Sequence, residues 1–132
     1  MCLSKLEDFT VTQNYGWQVF NKEITGELYP CFFGDDPIPV GKWHKDKFRI
    51  CDRWIRIDVD VRYKKGFHIF LNKEDAKTYG IRSAISRCVK KVRFKRILAR
   101  GLQEIHSPPV EGKIQTQQVK VVVCRKRFVE PD

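Results

Sequence analysis

No stretch of this chain comes near the roughly 18 consecutive apolar residues that a membrane-spanning helix needs. Its first residues, MCLSKLEDFT, lack the basic flank and apolar block of a secretory signal. Neither a membrane anchor nor export is therefore expected, and the expected location is the cytoplasm. The five cysteines, Cys2, Cys31, Cys51, Cys88 and Cys124, are odd in number and scattered, which argues against a disulfide framework and fits reduced thiols. There is no C-x-x-C pair and no H-x-x-x-H spacing. A zinc site would have to draw Cys31, His44 and Cys51 from separate loops, so no metal is expected. The glycines of GDDPIPVGK are not spaced as a phosphate-cradling loop, and Trp43 stands where a metal-binding hydroxyl would follow Gly41 and Lys42. RNP-like aromatic motifs, GXXG loops, internal repeats and low-complexity tracts are absent too, and no cofactor is implied.

What is present is length for one core and an excess of positive charge. With 132 residues, 42% of them hydrophobic, the chain suits a single domain over residues 1–132. Its 26 Lys and Arg against 16 Asp and Glu leave a net charge of +10. Such a surface attracts polyanions, so nucleic acid, a phosphate-bearing nucleotide or an acidic protein are the partners to expect.

Alternation with a period of two recurs along the chain, and helical periodicity is scarce. IRIDVDVRY reads as one strand: Ile55, Ile57, Val59, Val61 and Tyr63 take one face, and Arg56, Asp58, Asp60 and Arg62 the other. GWQVF (16–20) and ELYPCFF (27–33) read as earlier short strands, with Pro30 at a sheet edge or bulge and GDDPIPVG (34–41) as the following turn. After GFHIF the pattern turns helical, with Asn72 as N-cap, Glu74 and Asp75 in the first turn and Gly80 as the stop. IRSAISRC (81–88) is compatible with either helix or loop. Two long strands close the chain, Val89–Gly101 and Gln118–Val129. The prolines and Gly112 of LQEIHSPPVEGKIQT between them predict a loop. The expected fold is α+β: a mainly antiparallel, curved sheet or half-barrel of about five or six strands with one short helix.

The last two strands concentrate cations. Lys91, Arg93 and Lys95 share one side of the first, opposite Val92 and Phe94. In the second, Val121 and Val123 share a face with Arg125 and Arg127. Were the strands neighbours, like charges would stand roughly 5 Å apart, a repulsion that a phosphate, or acids such as Asp58 and Asp60, would relieve. Aromatic residues interleave with this charge, as on surfaces that stack bases while following a nucleic-acid backbone. Trp43 and Tyr63 are the candidates for exposure there, though most aromatics of a small β domain belong to its core.

Two residues carry the chemical alternatives. His68, beside Phe70 on one face of a strand that runs into a helix start, stands where anions often bind and has a side chain that titrates near neutrality. The same position also suits a partly buried histidine bonded to a backbone carbonyl. Cys2, if exposed by removal of Met1, would pair an α-amine with a thiol as N-terminal nucleophile enzymes do. The MCL start differs from the MCG of glutamine amidotransferases.

The MCL start together with GWQVF, VGKW, GFHIFLNKEDA, VKKVRFKRILARG and VVVCRKRFV resembles a family of small uncharacterised proteins of bacteriophages and bacterial genomes. That resemblance implies a phage or accessory-gene setting, with action in the host cytoplasm and interference with a host process, and no mechanism; docking on an acidic host protein is a separate alternative that the basic charge allows. His68 also gives a weaker likeness to NAD-dependent ADP-ribosyltransferases, in which a strand histidine contacts the nicotinamide-side ribose. The pattern departs from theirs: no tyrosine follows His68, and Glu104 and Glu130 lie in no Q-x-E or E-x-E motif.

Overall fold

The computed structural model describes residues 3–30, 37–45, 54–80 and 87–131. Along the chain run β1 (Lys5–Leu6), β2 (Tyr15–Lys22), β3 (Leu28–Pro30), β4 (Trp43–Lys45), β5 (Trp54–Asp58), β6 (Val61–Lys64), β7 (Phe67–Phe70), α1 (Lys73–Gly80), β8 (Arg87–Val110) and β9 (Lys113–Val129). Residues 31–36 and 81–86, on which parts of the expected second strand, turn and helix continuation fall, lie outside the described residues, as does Cys2.

The expected loop before β9 is instead part of a long hairpin. β8 spans 24 residues and β9 spans 17, paired antiparallel from Val92↔Val129 to Val110↔Lys113. Glu111 (φ 53°) and Gly112 (φ 77°) both lie in the left-handed region, the backbone of a tight turn that matches the twist of its strands. Pro108 and Pro109 are accommodated because the register slips between Ser107 and Val110, so the ladder does not require their missing N–H groups. IRIDVDVRY is corrected in the opposite sense: it is two strands, β5 and β6, folded about Val59 and Asp60. The Asp58 carboxylate accepts a hydrogen bond from the Val59 N–H at 2.7 Å, which competes with continued pairing at that point.

Among the described residues seven strands, not five or six, form the main sheet, in the order β1-β8-β2-β7-β9-β4 with β3 on β2, and β5–β6 stand apart as a second sheet. β8 also pairs directly with β9, so the sheet curls back on itself. It does not close into a barrel, since β2 and β7 meet at one residue pair, Trp17↔Phe70. A side chain at Gly16 would run into the Phe70 carbonyl, so only glycine lets these strands approach.

β9 is the strand the core forms around. Val121, Val122, Val123 and Cys124 are all fully buried. Val122 and Cys124 join Phe20, Ile69 and Val92, while Val121 and Val123 join Phe70, Ala76 and Ile105. Each such aliphatic side chain contributes roughly 1.5–3 kcal/mol by leaving water. The helix begins as its sequence predicts, the Asn72 side chain accepting a hydrogen bond from the Glu74 N–H at 2.8 Å. It seats Ala76 in the core and rests Tyr79 on Phe70. No helix among the described residues is long and apolar enough to cross a membrane.

Candidate nucleic-acid interface

Register decides which cations meet. Trp43 of β4 pairs with Phe128 of β9, Phe128 with Arg93 of β8, and Arg93 with Tyr15 of β2. Directly paired residues share a face, so these form one row across four strands. The adjacent row is Lys45–Lys126–Lys95, three ammonium groups side by side on β4, β9 and β8. On the other flank Lys91 is opposite Trp17.

The rings and charges of this face interleave closely. The Lys95 ammonium lies 3.9 Å from the Trp43 ring centre, and Trp43 is 5.7 Å from Phe128. The Arg93 guanidinium stands 5.5 Å from the Phe128 ring, and Lys91 stands 4.6 Å above Tyr15, which meets Trp17 edge-on at 5.5 Å. Arg93 also donates to the Glu130 carboxylate at 2.8 Å, which neutralises that end.

The Lys126 ammonium is held below the usual lysine pKa, first by Arg96, then by partial loss of solvent, and then by Lys45, Lys95 and Arg125. Arg96 itself has a left-handed backbone (φ 58°), a conformation costing an L residue roughly 1–2 kcal/mol, just before the bulge at Leu98. Strain and like-charge repulsion thus converge on one exposed spot, an arrangement that favours an anion.

Of the residues singled out from sequence, Lys91, Arg93, Lys95 and Trp43 lie exposed on this face, and half-buried Arg125 adds its charge to it. Arg127 does not join them. It pairs with Phe94 and His44 on the opposite, inner side and is only 8% exposed. Its Nε donates to His44 Nε2 at 2.7 Å and its Nη1 to Gln18 Oε1 at 2.9 Å, while Gln18 donates in turn to the His68 carbonyl at 2.8 Å. The guanidinium plane lies 3.9 Å from the Phe67 ring and 5.4 Å from Phe20, so apolar faces and directed acceptors replace water around the charge. The alternation along β9 was legible in the sequence, but which of its faces looks outward was not. Lys126 and Phe128, missed in sequence, are the residues in this last part of β9 that share the face of Lys95 and Arg93.

Tyr63 and His68 are interior as well. The Leu3 N–H donates to the Tyr63 hydroxyl at 2.9 Å, the hydroxyl donates to His68 Nε2 at 2.9 Å, and His68 Nδ1–H donates to the Gly66 carbonyl at 3.2 Å. Burial is the main cause that lowers the His68 pKa to about 4; Lys65 acts in the same direction and the Gly66 bond against it. The ring is therefore neutral at pH 7, with both nitrogens engaged. The acids expected to neutralise the basic strands, Asp58 and Asp60, lie on and beside the separate β5–β6 hairpin, and Glu130 takes that part for Arg93. No protein-family model matches the chain, and no curated protein or solved structure matches it either.

Proposed function

We propose that the protein binds single-stranded nucleic acid on the face formed by β2, β8, β9 and β4. The observation that carries this reading is the Lys45–Lys126–Lys95 row with Arg96 and Arg125 around it, where mutual repulsion lowers the Lys126 pKa. Phosphates laid along this row would offset the repulsion and release their counterions. Bases would stack on the exposed rings of Trp43 and Tyr15, each stack contributing roughly 1–3 kcal/mol. Lys95, resting on the Trp43 ring, is placed to swing to a phosphate as a base takes that ring. A part for His68 in holding a ribose, as in the ADP-ribosyltransferase likeness, finds no support in a buried ring bonded at both nitrogens.

The test is fluorescence anisotropy of a labelled oligothymidine against salt concentration. Changing Lys45, Lys95 and Lys126 together to glutamine is expected to weaken binding and reduce the log–log salt slope by about 2, at about 0.7 per lost contact on a single strand. An unchanged slope overturns the assignment of this face. Equal competition by polyglutamate would favour an acidic protein as the partner.

A further inference from the structure

A second site lies away from that face. A groove of about 700 Å³ opens between the residues following β1, the β5–β6 hairpin and the bulged part of β8. Its size falls among pockets for small ligands, roughly 300–1,000 Å³. Trp54 lines it and is 46% exposed, a large ring left in water on a hairpin whose other face, with Ile55 and Tyr63, packs into the core. The Arg62 guanidinium stands 4.7 Å and the Lys64 ammonium 5.7 Å from the Trp54 ring centre. Arg56 is directly opposite Arg62 in the ladder, and like charges directly opposite each other are destabilising unless an anion or solvent separates them.

The opposite wall supplies hydrogen-bonding groups. Arg100 donates to Asp8 at 3.1 Å, and its buried Nε finds no acceptor among the described residues. Glu7 and Asp8 add carboxylates able to accept from a hydroxyl or an exocyclic amine. An aromatic plane, neighbouring cations and a carboxylate edge within one small groove are the recognition elements of a base, a phosphate and a sugar.

We infer that this groove binds a free nucleoside monophosphate, its base stacked on Trp54 and its phosphate held by Arg62 and Lys64. The site is separate from the outer face and does not depend on the reading given for it. Isothermal titration of the full chain with AMP is expected to show saturable binding that both adenosine and inorganic phosphate match poorly. Trp54→Ala is expected to raise the Kd at least about 5-fold, the lower end of what one base stack supplies, and Arg62→Gln to raise it comparably. Both changes lie on exposed side chains, and circular dichroism checks that each variant folds. Glutamine at Lys45, Lys95 and Lys126 should leave the AMP Kd unchanged, so failure of one site is told apart from failure of the other. Absence of saturable AMP binding, an unchanged Kd in Trp54→Ala, or competition by inorganic phosphate equal to that of AMP each overturns the inference.

Discussion

His68 shows how a residue with the chemistry of a catalyst becomes a strut. Its ring bridges the Tyr63 hydroxyl and the Gly66 carbonyl inside the core, and the same hydroxyl anchors the N–H of Leu3. Changing His68 to alanine takes the His68 acceptor from the Tyr63 hydroxyl and the His68 donor from the Gly66 carbonyl, and is expected to cost roughly 1–3 kcal/mol at pH 7.5, read from urea unfolding. The pH dependence has a definite sign. The unfolded histidine takes up a proton near pH 6.5, whereas the folded one resists until about pH 4. The native protein therefore holds its full His68 contribution above pH 6.5 and loses it as pH falls from 6.5 toward 4. The stability gap between wild type and His68→Ala should narrow across that window. A gap that is constant with pH would show that the ring is not buried in its neutral form.

Among the elements, β4 is a short strand that carries two residues of the outer face. It is three residues long, and it places Trp43 and Lys45 on the outer face while His44 points inward to Arg127. So short a strand gains little from its ladder alone, and the His44–Arg127 hydrogen bond ties it to β9 from beneath. Alanine at His44 removes the acceptor of a buried guanidinium donor. It is expected to lower stability by roughly 1–3 kcal/mol and to weaken oligothymidine binding through the displaced Trp43 and Lys45. Glutamine at the same position keeps an acceptor within reach of Arg127 and should recover most of both. If His44→Ala binds as tightly as wild type, β4 does not contribute to the interface.

For the whole molecule, the net charge of +10 is unevenly spent. Arg127 is absorbed in the interior, Arg93 and Arg100 are paired with Glu130 and Asp8, and on the outer face like-charge repulsion gathers at Lys126. A face built for an anion should cost stability when none is bound. Lys126→Gln is accordingly expected to raise the melting temperature at low ionic strength while lowering affinity for oligonucleotide. The thermal gain should fade in about 1 M salt, where the screening length falls to roughly 3 Å. A variant that melts lower than wild type at low salt would mean that Lys126 makes a favourable contact that outweighs the repulsion.

Local chemistry was enough to place the helix and several strands. Asn72 caps α1 through its own side chain, and β2, β7 and the central parts of β8 and β9 announce themselves by alternation, because these signals act within a few residues. The same local signals misjudged 102–116, since prolines that break an isolated strand are tolerated where the ladder slips to leave their nitrogens unpaired, and Glu111 with Gly112 closes the turn. They also ran β5 and β6 together, since Val59 and Asp60 keep the apolar–polar alternation through the turn. That the last two strands were basic could be read directly. Which cations reach water could not. Curling of the sheet turned Arg127 inward against His44, Gln18 and Phe67, and set Lys126 between Lys45 and Lys95. Side-chain parity belongs to a single strand and is written in its sequence, whereas the outward face and the neighbours across a ladder depend on register and curvature, which arise only when distant strands pack around a common core.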